Sequence, residues 1–179
     1  HIQLPELLYE SVVEIPERID AHGEIIHGLD EVEVEQGLQA AYDDGIRAVA
    51  IALVHGYRYH GHEKRVARIA KKIGFSQVSV SHEVSPMMKL VSRGDTTVVD
   101  AYLSPILRRY VEQVANQLDD GGGKSPRLMF MQSNGGLTDA HHFQGKDAIL
   151  SGPAGGVVGM VKTAAMAGLN KVIGFDMGG

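Results

Sequence analysis

The sequence predicts an α/β protein in which a mostly parallel sheet is covered by flanking helices. Beyond residue 32, segments with helical periodicity alternate with short apolar segments, the order typical of repeated βα units. The segment at residues 46–54, IRAVAIALV, is almost entirely apolar, as expected for a strand buried on both faces of a parallel sheet. Glycines follow the predicted helices at the points where the chain must turn back.

The first elements are a lead-in and an amphipathic helix. Residues 1–32 have short alternating stretches and turn signals at Pro16 and Gly23, so they are predicted to be irregular or strand-like. Residues 32–44 place apolar side chains on one face and acids on the other, which predicts a helix ended by Gly45.

The middle of the chain continues the alternation. After the strand at 46–54, residues 63–73 predict a basic amphipathic helix and residues 78–81 the next strand. Residues 96–118 predict a helix with a break at Ser104-Pro105, because serine can cap a helix and proline favours its first position.

The last third predicts a loop, two strands and one helix. The loop is the segment DDGGGK at residues 119–124, and a strand follows it at 128–131. A helix rich in glycine and alanine is predicted at 153–167, and a short buried strand at 172–175.

Composition excludes several classes of protein. The 179 residues carry a net charge of -5, which argues against a nucleic-acid partner, and no apolar run approaches the ~20 residues that cross a bilayer. There is no cysteine, so disulfides and thiolate chemistry are excluded, and the composition fits a cytoplasmic protein. We expect neither a nucleic-acid nor a membrane partner.

The C-terminal segment VIGFDMGG carries the residue types of a magnesium–nucleotide site. Asp176 ends the predicted strand and can hold Mg²⁺ or its waters, and Gly178 and Gly179 let backbone N–H groups approach phosphate oxygens. An ordinary tight turn is the alternative. Because a turn needs a second strand and the sequence stops at Gly179, we expect a piece of a larger enzyme.

The segment SGPAGGVVGM concentrates glycine inside a predicted helix. Glycine costs about 1 kcal/mol relative to alanine there, so Gly152, Gly155 and Gly156 need a reason. One reason is close packing against a second domain, and the other is contact with a nucleotide at the helix N-terminus.

Three histidines crowd into HGYRYHGHEKR. His55, His60 and His62, with Glu63 beside them, have a spacing that could suit a metal, but polar loop residues are the commoner explanation.

Two further motifs are open to functional and structural interpretations. Ser133 and Asn134 follow a predicted strand and could contact substrate or nucleotide, or could simply form an Asn-Gly turn. Arg93 could approach an anionic substrate, although internal pairing is the favoured interpretation.

Four motifs together resemble the ATP-dependent hydantoinase/oxoprolinase family. They are RGDTTVVDAYLSP, MQSNGGL, FQGKDAILSGPAGGVVG and VIGFDMGG. The resemblance covers most of the chain and is weakest before Glu31. It places the chain in the superfamily of actin, sugar kinases and heat-shock chaperones.

The resemblance implies two ribonuclease-H-like domains with ATP in the cleft between them. Residues 1–32 would then be a lead-in and residues 33–150 the latter part of the first domain. Residues 151–170 would connect the domains, and residues 171–179 would be the first strand and cut phosphate loop of the second. Since half of the nucleotide site would be missing from each side, we expect no catalysis from these residues alone.

The activity implied by the resemblance is ATP-dependent opening of a cyclic amide, with the greatest similarity to members that convert 5-oxo-L-proline to L-glutamate. Asp176 would orient Mg²⁺, and the partner would be the second half of the same enzyme or a partner subunit. The alternatives are an ATP-dependent hydantoinase, a ketone carboxylase subunit, and a non-catalytic actin-like switch.

Overall fold

The computed structural model describes residues 6–118 and 127–177, and it confirms an α/β fold. The chain divides into two compact units, unit 1 at His1–Ile106 and unit 2 at Leu107–Gly179, each described here by itself. No helix within the described residues combines the length and apolar character that a membrane span requires.

Unit 1 contains two small sheets and the helices that follow their strands. In chain order the elements are β1 (Arg18–Ile19), β2 (Ile25–His27), α1 (Glu31–Asp43), β3 (Ala48–Ile51), α2 (Gly61–Ile73), β4 (Gln77–Val80), α3 (Ser81–Val84) and α4 (Leu90–Leu118). Strands β1 and β2 pair antiparallel, whereas β3 and β4 pair parallel, with Ala48 opposite Gln77 and Ile51 opposite Val80. Helix α4 contains the boundary between the two units.

The helices of unit 1 begin and end where local chemistry dictates. Asp30 caps α1, because its Oδ1 accepts from the N–H groups of Val32 at 2.9 Å and Glu33 at 3.2 Å. Helix α2 ends at Gly74, whose φ of 114° lies in the left-handed region that favours glycine. The buried faces of both helices join β3 and β4 in one apolar core, which includes Val34, Leu38, Ile51, Val66, Ile69 and Val80.

Unit 2 is built around a hairpin and a long helix. Beyond the end of α4, its elements are β5 (Met129–Met131), β6 (Leu137–Asp139), a 3₁₀ turn (Ala140–His142), α5 (Gly145–Ala148) and α6 (Ser151–Met166). Strands β5 and β6 pair antiparallel. The turn between them closes because Asn134 Oδ1 accepts from Gly136 N–H at 2.7 Å and Gly135 has a φ of 81°.

The prediction of a mostly parallel sheet is wrong for the described residues. They contain three two-stranded sheets, of which only β3–β4 is parallel. The reason is local: β1–β2 and β5–β6 are strands of two or three residues joined by short turns, and such connections give antiparallel pairs.

Two predicted details of the helices and strands are also wrong. Residues 172–175 do not form a buried strand, since no described strand pairs with them and Ile173 and Phe175 are 98% and 92% exposed. Helix α4 starts six residues before the predicted position 96 and has no break at Pro105. Ser104 does not cap a new helix, because its hydroxyl donates to Asp100 Oδ1 at 3.2 Å. The predicted loop at 119–124 lies outside the described residues.

Candidate functional site

The turn after β5 and the start of α6 meet in unit 2. Ser133 connects them: its N–H and its hydroxyl both donate to the Asp147 carbonyl at 2.7 Å, and its Oγ accepts from Leu150 N–H at 3.0 Å. Asn134 is exposed and uses its side-chain oxygen to close the Asn-Gly turn. Both residues therefore have structural roles here, and their contact with substrate or nucleotide stays a prediction.

The glycines of α6 leave one side of the helix bare. A methyl group added at Gly155 would lie 3.6 Å from Met131 Cγ, and one at Gly156 would lie 3.3 Å from Asp176 Oδ2. A methyl group at Gly152 would meet nothing within 4 Å among the described residues. The absence of side chains thus lets β5 and residue 176 approach the backbone of the helix.

Residues 172–177 lie against α6, although they form no strand. Gly174 is in close contact with Met160, and the Asp176 carboxylate lies beside Gly156, one helical turn nearer the N-terminus of α6. No hydrogen bond or ion pair within the described residues engages the Asp176 carboxylate, which is exposed. An open carboxylate is an oxygen ligand of the kind that Mg²⁺ prefers.

The structure thus brings together part of the predicted site. Asp176, Gly155, Gly156 and Ser133 all lie around the N-terminal half of α6. Gly178 and Gly179 lie outside the described residues, so their predicted contact with phosphate stays a prediction.

Unit 1 contains a buried polar network that the sequence did not reveal. Glu63 is fully buried, and its Oε1 accepts from Leu53 N–H at 2.9 Å and from Ser81 Oγ at 2.5 Å. Its Oε2 accepts from the His82 backbone at 3.2 Å and from His82 Nδ1 at 2.6 Å. A sequence signal existed: Glu63 precedes Val66 and Ala67 by three and four residues, so it lies on the buried face of α2.

Arg93 completes this network and is fully buried. Its Nε donates to Ser81 Oγ at 2.9 Å, and its Nη1 and Nη2 donate to four backbone carbonyls, those of Met87, Met88, Leu53 and Val54. The prediction of internal pairing is confirmed. The alternative, that Arg93 approaches an anionic substrate, is wrong because all three nitrogens donate within the protein.

The three histidines of the HGYRYHGHEKR segment do not form a metal site. His62 Nδ1 lies 2.5 Å from Glu17 Oε2, whereas the His60 ring packs edge-on against His82 with centroids 4.4 Å apart. No group of three or more ligand side chains within the described ranges could hold a metal ion. Burial lowers the pKa of His60, and the nearby His82 and Lys64 lower it further.

Curated relatives and solved structures resemble almost all of this chain. It is 39% identical to 5-oxoprolinase of Saccharomyces cerevisiae over 96% of its own length and 15% of that protein's. It is 40% identical to 5-oxoprolinase 1 of Arabidopsis thaliana over 98% of its own length and again 15% of the relative's. The chain therefore spans only about 15% of the length of these relatives.

The solved structures agree with these relatives. The ATP-dependent caprolactamase from Pseudomonas jessenii aligns with a TM-score of 0.81 and 33% identity, covering 92% of this chain and 24% of that one. The nucleotide-free acetone carboxylase aligns with a TM-score of 0.74 and 24% identity over 86% of this chain and 22% of that one, which shows a shared fold.

Two family models match the sequence directly. The hydantoinase/oxoprolinase N-terminal region matches residues 1–74, and hydantoinase/oxoprolinase matches residues 93–179. The second match contains the turn after β5, helix α6 and Asp176, and the first contains Glu63 of the buried network. The chain belongs to the hydantoinase/oxoprolinase family.

Proposed function

We propose that this chain is part of a larger ATP-dependent enzyme that opens the lactam of 5-oxo-L-proline to give L-glutamate. The observation that carries the proposal is the open Asp176 carboxylate, which lies against the bare backbone of α6 at Gly156. Similarity to 5-oxoprolinases of yeast and Arabidopsis supports the choice of substrate.

The chemistry explains why ATP is needed. A lactam carbonyl is a poor electrophile, so transfer of the γ-phosphoryl group to its oxygen makes the carbon susceptible to water. Water adds to that carbon, the bond to the ring nitrogen breaks, and the nitrogen takes up a proton. A second water then releases phosphate from the acyl phosphate, leaving glutamate, ADP and phosphate. Phosphoryl transfer of this kind depends mainly on positioning and on neutralisation of charge.

The residues of this chain would serve the nucleotide rather than the amide. Asp176 would hold Mg²⁺ directly or through water, and bound Mg²⁺ supplies positive charge next to the phosphates. Gly178 and Gly179 would present backbone N–H groups to phosphate oxygens. Gly152, Gly155 and Gly156 would leave the N-terminal half of α6 open to the nucleotide.

The domain arrangement is part of the same proposal. Residues 33–150 belong to the first of two ribonuclease-H-like domains, residues 151–170 connect the domains, and residues 171–179 begin the second. The exposure of α6 supports the connector: none of its 16 residues is buried, and Val157 and Val161 are 58% and 51% exposed. A second domain packed there would cover these side chains.

The test is a substrate panel on the full polypeptide that carries this chain. ATP hydrolysis is measured with 5-oxo-L-proline, hydantoin, caprolactam, or acetone plus bicarbonate. We expect stimulation by 5-oxo-L-proline with one glutamate released per ADP. The caprolactamase neighbour makes caprolactam the most informative competitor. Stimulation by another compound alone would overturn the substrate, and hydrolysis independent of all four would favour an ATP-dependent switch.

The 179-residue chain supplies the matching negative control. Assayed alone, it should show no ATP hydrolysis that depends on 5-oxo-L-proline. Turnover above that of a heat-killed sample would show that these residues contain a complete site, contrary to the proposal.

A further inference from the structure

A groove of about 230 Å³ in unit 1 lies between α2 and the carboxyl end of β4. Lys64, Arg68 and Lys71 line it from the helix, and His82 and Glu83 line it from the segment after the strand. The carboxyl ends of parallel strands are where open α/β sheets commonly bind ligands.

The charges along the helical side of the groove are mostly positive and incompletely neutralised. Lys64, Arg68 and Lys71 are spaced at i, i+4 and i+7, which places them on one face of α2. Arg68 Nη2 shares Glu31 with Arg65 at 3.2 Å. Within the part of the chain that the structure describes, neither Lys64 nor Lys71 forms an ion pair.

The other side of the groove contains an imidazole held in one orientation. His82 Nδ1 lies 2.6 Å from the fully buried Glu63 Oε2, and because that carboxylate can only accept, Nδ1 carries the proton. Nε2 is buried and has no hydrogen-bond partner among the described residues. Glu83 Oε1 lies 3.7 Å from it, beyond hydrogen-bond distance. A buried nitrogen without a partner is costly, so a ligand that engages it is favoured.

We propose that this groove binds the oxyanion of a small ligand, a carboxylate or a phosphate group, between Lys64, Lys71 and His82. The lysines supply the charge, and His82, backed by Glu63, donates from Nε2 when it takes up a second proton. The local field agrees: burial, and then the positive charges of His82 and Lys64, lower the pKa of His60 beside the groove. An anion placed there relieves this excess of positive charge.

The test uses the 179-residue chain, with inorganic phosphate and acetate as separate probes of the two oxyanions. Backbone amide and imidazole NMR signals are followed during each titration, and far-UV circular dichroism confirms the fold of each variant. We expect saturable shifts at α2 and at residues 80–83 with at least one probe, and the probe that binds tighter identifies the oxyanion.

Charge variants give effects of opposite sign. Lys64→Gln combined with Lys71→Gln should weaken binding about tenfold or more, because both cations flank the groove. Glu83→Gln should tighten binding, because it removes the competing carboxylate. Lys72→Gln is the matched control: Lys72 lies on the same helix, pairs with Glu35 at 3.0 Å and does not line the groove, so binding should be unchanged.

Three outcomes would overturn the proposal. The first is that neither probe gives saturable shifts in the groove. The second is that the double lysine variant binds like the unaltered chain. The third is that Lys72→Gln weakens binding as much as the double variant does, which would show a diffuse effect of net charge. None of these outcomes depends on ATP, so the proposed lactam chemistry is tested separately.

Discussion

Helices α2 and α6 contrast in how they relate to the rest of their units. Six of the 13 residues of α2 are buried, although the helix is rich in lysine and arginine, and its apolar face joins β3 and β4 in the core. None of the 16 residues of α6 is buried, although the helix is rich in valine, alanine and methionine. Burial therefore follows from what packs against a helix, and not from its composition alone.

The charged groups of the two units differ in the same way. Unit 1 encloses Glu63 and Arg93 completely and satisfies them with hydrogen bonds, whereas unit 2 leaves Asp176 exposed beside Gly156. We interpret the first arrangement as one that stabilises the fold and the second as one that is available to a ligand. Substitutions in each region should therefore affect different measurements.

The largest expected effect on stability is that of Arg93→Met. The substitution keeps most of the side-chain volume but leaves Ser81 and four backbone carbonyls without their donor. Removing one member of a buried charged network costs about 3–5 kcal/mol in free energy of unfolding. Urea denaturation followed by circular dichroism measures this loss.

The control for that experiment is Arg68→Met on α2, where the guanidinium is 68% exposed. It should change the free energy of unfolding by less than about 1 kcal/mol. If Arg93→Met costs no more than the control, the buried network does not stabilise unit 1.

A smaller loss of stability is expected from Gly56→Ala. The added methyl group would overlap the Glu63 carboxylate, which four hydrogen bonds hold in place. Overpacking of this kind costs about 1–3 kcal/mol. Gly61→Ala is the matched variant, because a methyl group at the first residue of α2 meets nothing within 4 Å among the described residues. Melting temperatures should fall for the first variant and stay level or rise for the second; equal changes would show that the carboxylate can move aside.

Helix α6 should behave in the opposite sense. Gly155→Leu and Gly156→Leu in the full polypeptide should lower ATP-dependent turnover about tenfold, equivalent to about 1.4 kcal/mol, and change the melting temperature little. The reason is that no α6 residue is buried, whereas closure of two domains over ATP would need the bare face. Turnover, nucleotide affinity and melting temperature are compared in one preparation, with Gly159→Leu as the reference for helix propensity. If both variants merely unfold and any folded fraction is fully active, α6 is ordinary core.

The smallest expected effect is a dependence of stability on pH in unit 1. The pKa of His60 is lowered from its ordinary value near 6.5, mainly by burial, so the unfolded chain binds this proton more readily. The contribution of His60 is therefore fully present above about pH 6.5 and is lost as the pH falls toward the folded-state pKa. Free energies of unfolding between pH 7.5 and pH 5 should fall less steeply for His60→Gln. Parallel curves would show that His60 does not cause the dependence.

Local signals predicted the helices of the chain well. The apolar periodicity and terminal glycines of α1 and α2 placed both helices within two residues of their bounds, and the predicted helix at 153–167 corresponds to Ser151–Met166. The β5–β6 hairpin was missed because β6 has only three residues. The strand at 172–175 was predicted from apolar content, but a strand also needs a neighbour with which to pair.

The site was predicted less completely than the helices. Glycine content and the position of Asp176 identified residues that the structure places together at α6. The network of Glu63 was missed because its hydrogen bonds join residues 10 to 19 positions apart, and those of Arg93 reach 40. No local pattern encodes such pairs; they depend on the packing of α4 and α2 around β3 and β4.

The most direct test of the central claim is Asp176→Asn in the full polypeptide, assayed for ATP hydrolysis in the presence of 5-oxo-L-proline over a range of Mg²⁺ concentrations. Asp43→Asn is the matched control, because Asp43 is exposed on α1 and only accepts from Gln39 Nε2 at 2.8 Å. We predict that Asp176→Asn lowers kcat at least about tenfold, equivalent to about 1.4 kcal/mol, and raises the Mg²⁺ requirement, while the control and both melting temperatures stay unchanged. Unchanged kcat and unchanged Mg²⁺ dependence in Asp176→Asn would contradict the account.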